Sequence, residues 1–143
     1  MEFATLTNEL VTRYQNNLRK IDDGHWVLEI DTRDSRSQIV HVLHRRKTMG
    51  GEDASRVVAD SPIGPLPQRF DLERLLRKNA ELEIGAICIE DYRNDENELE
   101  TYITLRASRR LRTMDLPEIW EIIEKVAFAA DDLELEIYAR DLH

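Results

Sequence analysis

The stretch DLPEIWEIIEKVAFAADDLELEIYARDLH, residues 115–143, decides how the rest of the chain is read. Leu116, Ile119, Ile123, Val126, Ala130, Leu133 and Ile137 recur at steps of three and four, the spacing that lines one face of a helix. Asp115 and Glu118 have the spacing of a capping box, and Pro117 falls in the first turn, where a missing N–H costs nothing. The same helix crowds Asp131, Asp132, Glu134 and Glu136 into six positions. At about 100° per residue, Asp131, Asp132 and Glu136 fall away from the apolar stripe and Glu134 borders it, so the acidic group is expected mainly on the solvent side. Burying each large aliphatic is worth ~1.5–3 kcal/mol at the upper end, whereas the Asp132–Glu136 like-charge pair costs ~0.2–0.5 kcal/mol, so packing sets the orientation.

Working back from that helix, the chain divides into alternating short elements. FATLTNELVTRYQNNLRKI, residues 3–21, places Phe3, Leu6, Leu10, Tyr14, Leu18 and Ile21 on one helical face, and Asp22, Asp23 and Gly24 stop it. HWVLEID alternates Trp26, Leu28 and Ile30 with more polar neighbours, SQIVHVLHRRK is its β-branched partner, and the intervening RDSR reads as a hairpin turn. After Gly50 and Gly51, SRVVAD is a third strand, and the proline-rich SPIGPLPQ reads as an irregular connection. Asp71 caps a helix from Leu72 to about Asn79, with Phe70 placed to staple against Leu75. EIGAICIED and LETYITLRA then form two strands around the polar hairpin YRNDENE. The expected fold is one α+β domain over residues 1–143, an antiparallel five-stranded sheet in the order α-β-β-β-α-β-β-α.

Composition narrows the function classes. With 29 acidic and 20 basic residues the net charge is -9, which disfavours nucleic acid and anionic membrane surfaces as partners. MEFATLTNEL carries acidic residues where a signal peptide would be basic, and the uncharged runs are too short to span a bilayer, so a cytoplasmic location is expected. The single cysteine, Cys88 in IGAICIED, excludes an intrachain disulfide and a zinc framework and reads as a small buried hydrophobe. His41 and His44 lie three apart on a strand, hence on opposite faces, and read as surface residues. No loop has Asp/Asn/Gly spacing for a hard cation, and no phosphate loop, Gly-x-Ser-x-Gly or His-Glu-x-x-His is present. Catalytic residues, a metal and a cofactor are therefore not expected. The one basic run, RASRRLRT, sets Arg106, Arg109, Arg110 and Arg112 as a candidate patch for an anion or acidic peptide. Pairing of these arginines with the chain's own surplus carboxylates, those of DENELE included, is the plainer alternative. Trp120 lies beside the stripe and is assigned to the core in preference to an interface.

The element order, with LLRKN at 75–79, Gly85 opening a strand, the acidic hairpin, and YITLRASRRLRTMDLPEIWEIIEKVAFAADDLE at 102–134, resembles the bacterial YbjN-like domain family within the type III secretion chaperone-like fold. The connection SPIGPLPQRF is closer to the YbjN-like branch than to the secretion chaperones. The resemblance implies first and last helices laid across the sheet and a homodimer formed through the middle helix and adjoining strands. The candidate partner or dimer surface comprises Leu72, Leu75, Leu76, Val40, Val42, Ile87 and Ile89. The expected function is a non-enzymatic cytoplasmic protein-binding or chaperone-like module. Two other classes stand beside it: a small-ligand-sensing regulatory domain, which requires a deep apolar pocket with convergent polar groups, and a metal-assisted enzyme built on the carboxylates at 131–136.

Overall fold

Three helices lie on one face of a six-stranded antiparallel sheet in the computed structural model, which describes residues 1–138. In chain order the elements are α1 (Phe3–Tyr14), β1 (Leu18–Asp22), β2 (His25–Asp31), β3 (Ser37–Arg45), the two-residue strands β4 (Thr48–Met49) and β5 (Glu52–Asp53), β6 (Arg56–Pro65), α2 (Leu72–Asn79), β7 (Ala86–Arg93), β8 (Leu99–Arg110) and α3 (Leu116–Tyr138). The main sheet runs β1-β2-β3-β6-β8-β7 with every neighbouring pair antiparallel, while β4 and β5 make a separate small hairpin. The α+β class and the antiparallel sheet match the sequence-based expectation; the strand count and element order differ.

The sixth strand comes from the end of the segment expected to be helical. The first helix stops at Tyr14 because Gln15 takes a positive φ of 35° and a short 3-10 turn follows over Gln15–Asn17. This polar run offers the backbone little reason to stay helical. Leu18 then sits in register opposite Leu28, and Ile21, whose spacing suited the helical stripe, is 48% exposed.

The proline-rich segment departs from expectation in the same direction. Strand β6 continues through Ser61, Pro62, Ile63 and Gly64 to Pro65. It can do so because its pairing with β3 ends at Asp60, so Pro62 lies where no N–H is required on that side, and a register shift between Pro62 and Gly64 absorbs the irregularity. Gly64 is a close approach: a Cβ there would come within 2.7 Å of the Tyr138 ring, whose hydroxyl donates to the Pro65 carbonyl. Gly85 is required for a different reason, a φ of +78° with Arg106 O 2.7 Å from any added Cβ.

Helix α3 crosses β3, β6 and β8. Ile119, Ile123, Val126, Ala130, Leu133 and Ile137 are buried against Leu28, Val40, Val42, Ala59, Ile103 and Leu105, with Phe3, Leu6 and Leu10 of α1 in the same core. Both expected N-caps form: the Asp115 carboxylate accepts the Glu118 N–H at 2.9 Å, and Asp71 accepts the Arg74 N–H at 3.3 Å. Trp120 is half-buried, edge-on to Tyr14 and under the Arg13 guanidinium at 4.9 Å. No helix among the described residues is long and apolar enough to cross a membrane.

Candidate functional site

The acidic turn of α3 resolves into separate ion pairs. Asp131 is 1% exposed, contrary to the solvent-side expectation, and its Oδ1 accepts a 2.7 Å bond from Arg36 Nε. The helix buries a wider arc than its aliphatic stripe, because Ile122 and Ala127 are also interior and the β2–β3 turn rises against that flank. Asp34 and Ser35 both take positive φ in this tight turn, which leaves Arg33 and Arg36 on either side to reach the helix. Arg33 pairs with Asp132 at 3.1 Å, and Arg36 also reaches Glu134, which accepts a further 2.7 Å bond from Gln38. Glu136 turns toward α2. Burial opposes its ionisation, but hydrogen bonds from Lys78 and Arg74 prevail and hold its carboxyl below the usual range. Four carboxylates therefore tie α3 to two other elements, and among the described residues no three His, Cys, Asp or Glu are grouped to hold a metal ion.

The face of the sheet away from the helices is polar at its centre. Register places Arg19, Val27, His41, Asp60, Arg106 and Ala86 in one row across all six strands. Asp60 is 2% exposed and accepts from Arg106 Nε at 2.9 Å, while Arg106 also pairs with Glu90, which in turn accepts from the Tyr92 hydroxyl at 2.6 Å. Burial pushes the Asp60 carboxyl above the usual carboxylate range although Arg106 pulls it back. Asp60 Oδ1 and the Thr104 hydroxyl are both buried without a hydrogen-bond partner. His41 shares a 2.7 Å contact with His25, and burial, with His25 beside it, lowers its basicity. His44 faces the helices and stacks on Phe3 at 4.4 Å. Burial raises the Cys88 thiol, the opposite of what a nucleophile needs. Next to this network an open groove of about 370 Å³ runs between His41, Pro62, Tyr92, Tyr102 and Glu100.

The two sheet edges are guarded differently. Strand β1 has five residues, a register shift between Lys20 and Asp22, and exposed charge along it, features that discourage pairing. Strand β7 has eight residues. Its outward backbone is closed at Ile87, where the Asn79 side chain accepts the N–H at 2.6 Å and donates to the carbonyl at 3.4 Å, as a strand partner would. Two residues on, the same outward positions at Ile89 and Asp91 have no backbone partner among the described residues. Ile89 is 46% exposed there, and on α2, which packs on β7, Leu72 and Leu76 are 46% and 69% exposed.

Of the residues named for a partner surface, Leu72, Leu76 and Ile89 are thus at the surface. Val40, Val42, Leu75 and Ile87 are interior, because Leu28 opposes Val40 and Leu105 opposes Ile87 on the helix-covered face. The basic run disperses as well. Arg106 joins Asp60 and Glu90, Arg109 pairs with Glu118 at 3.4 Å, Arg112 lies 3.7 Å from Glu52, and Arg110 has no carboxylate within 4.0 Å among the described residues. None of these partners belongs to DENELE. The open stretch of the β7 edge and the role of Asn79 were not anticipated from sequence; the available signal was an asparagine at a helix end a short loop before an apolar strand.

The sequence matches no protein-family model and no curated protein.

Proposed function

We propose that the chain is a non-enzymatic, cytoplasmic protein-binding module that takes up an extended polypeptide strand along the outer edge of β7. The observation that carries this reading is the unpaired backbone at Ile89 and Asp91 beside exposed Ile89, Leu72 and Leu76. Main-chain hydrogen bonds would supply affinity, and alternate side chains of the added strand would meet that apolar surface. A second copy of the chain, the occupant implied by the resemblance to YbjN-like and secretion chaperone-like domains, would pair β7 with β7 and extend the sheet. A segment of another protein would use the same hydrogen bonds.

Sedimentation over a concentration series tests the first occupant: the wild type is expected to dimerise, and Ile89→Glu or Leu72→Glu to remain monomeric. Peptide-display selection tests the second. Selected peptides are expected to lose binding to Asp91→Pro, which removes an outward N–H while keeping the backbone bonds to β8, at the loss of the 2.7 Å bond that the Asp91 carboxylate accepts from the Thr101 hydroxyl. A wild-type monomer at every concentration, together with peptides that bind Asp91→Pro unchanged, would end the reading.

A further inference from the structure

A second surface emerges at the other end of the sheet, from residues far apart in sequence. Register sets Arg45 of β3 opposite Arg56 of β6, and Arg56 opposite Arg110 of β8. All three share the parity of Asp60 and Arg106 and so project from the helix-free face, and all three are exposed. Three like charges in one cross-strand row repel one another. No direct ion pair offsets this among the described residues: none of the three has a carboxylate within 4.0 Å, although Arg45 lies near enough to Asp60 to favour its ionised form, in a chain with 29 acidic residues. Arg56 is held in place, its Nε donating to Ser108 Oγ at 3.1 Å and its Nη2 to the Ser108 carbonyl at 3.3 Å.

We infer that the Arg45–Arg56–Arg110 row is a docking site for a short acidic segment of a protein partner. Two inter-strand spacings make the row about 10 Å across, room for two or three carboxylates, each able to take a forked pair of bonds from one guanidinium. A short segment confines its charge to the row. A nucleic acid, with one charge per about 1.7 Å of duplex, would run on over a surface whose overall charge is -9, and no aromatic side chain interleaves the row to stack a base. This site shares no residue with the β7 edge and stands or falls separately.

The test is an NMR titration of the full chain at low salt with a short all-glutamate peptide, an equally long thymidine oligonucleotide and inorganic pyrophosphate. The peptide is expected to shift the amides and Arg Nε–H signals of Arg45, Arg56 and Arg110. Its binding is expected to weaken with added salt and by about tenfold or more in R45Q/R56Q/R110Q. That variant is expected to melt no lower than wild type, since substitution relieves repulsion; the single variant R56Q provides a second comparison, with a smaller loss. Equal peptide binding by the triple variant, shifts located elsewhere, or tighter binding of the oligonucleotide or pyrophosphate than of the peptide would overturn the inference.

Discussion

Arg106→Leu is expected to destabilise the fold by about 3–4 kcal/mol, lowering the melting temperature by about 10 °C, because among the described residues it strips two carboxylates at the centre of the sheet of the cation that pairs with both. The Asp60 side chain is 3% exposed and that of Glu90 23%, so neither can recruit bulk water fully once the guanidinium is gone. The effect carries a pH signature. Asp60 already has a raised pKa in the folded protein, so the native state holds a proton that the unfolded chain has released between the ordinary carboxylate value and the raised one. Stability therefore falls as pH rises through that window. Removing Arg106 raises Asp60 further and widens the window. The deficit of Arg106→Leu is expected to be largest near neutral pH and to shrink in acid, and Asp60→Asn in the same background is expected to restore much of the loss. Urea titrations of the wild type, Arg106→Leu and the double variant at two pH values check this. A deficit that is the same at both pH values and unrelieved by Asp60→Asn would assign the loss to packing.

The second large effect is expected at the contact between α3 and the β2–β3 turn. Arg36 is the hydrogen-bonding cation for Asp131, which is buried, and its own side chain is 33% exposed, so solvent moderates the cost of breaking the pair. Arg36→Leu is expected to cost about 2–3 kcal/mol. Combined with Asp131→Leu, the two substitutions are expected to cost less than Arg36→Leu alone, since an apolar pair leaves no buried charge behind. A double-mutant cycle by denaturant unfolding reads the coupling directly; additive losses would show that the pair does not act as a unit.

These two networks mark where sequence patterning runs out. Residue periodicity located α3, its aliphatic stripe and its Asp115 cap, because those features depend on spacing within one element. The position of Asp131 depends on what stands beside the helix. RDSR is legible as a turn, but whether Arg36 reaches Asp131 is a matter of tertiary contact between partners 95 positions apart in sequence. Strand β1 is masked in the sequence because Leu18 and Ile21 continue the helical step of the segment before them, whereas the chain leaves the helix at Gln15, whose φ is positive. The prolines of β6 mislead for a related reason. Proline argues against a strand paired on both sides, whereas β6 has already parted from β3 at Pro62.

The candidate surfaces were legible only in part. Leu72, Leu76 and Ile89 are at the surface as the sequence suggests, whereas Val40 and Val42 face the helices, because the register between β2 and β3 sets which parity of β3 is covered. The linear cluster RASRRLRT does not survive as one patch in the fold, since alternation along β8 sends Arg109 and Arg110 to opposite faces. Arg45 and Arg56 come from other strands and leave no local signal.

Backbone hydrogen exchange at β7 tests the central claim most directly. In dilute protein the amides of Ile89 and Asp91 are expected to exchange fast and that of Ile87 slowly, since only Ile87 is covered, by Asn79. On dimerisation or on binding a selected peptide, Ile89 and Asp91 are expected to become protected while the β1 edge stays unchanged. Fast exchange at Ile89 and Asp91 in the bound state, with new protection on another surface, would contradict strand addition at this edge.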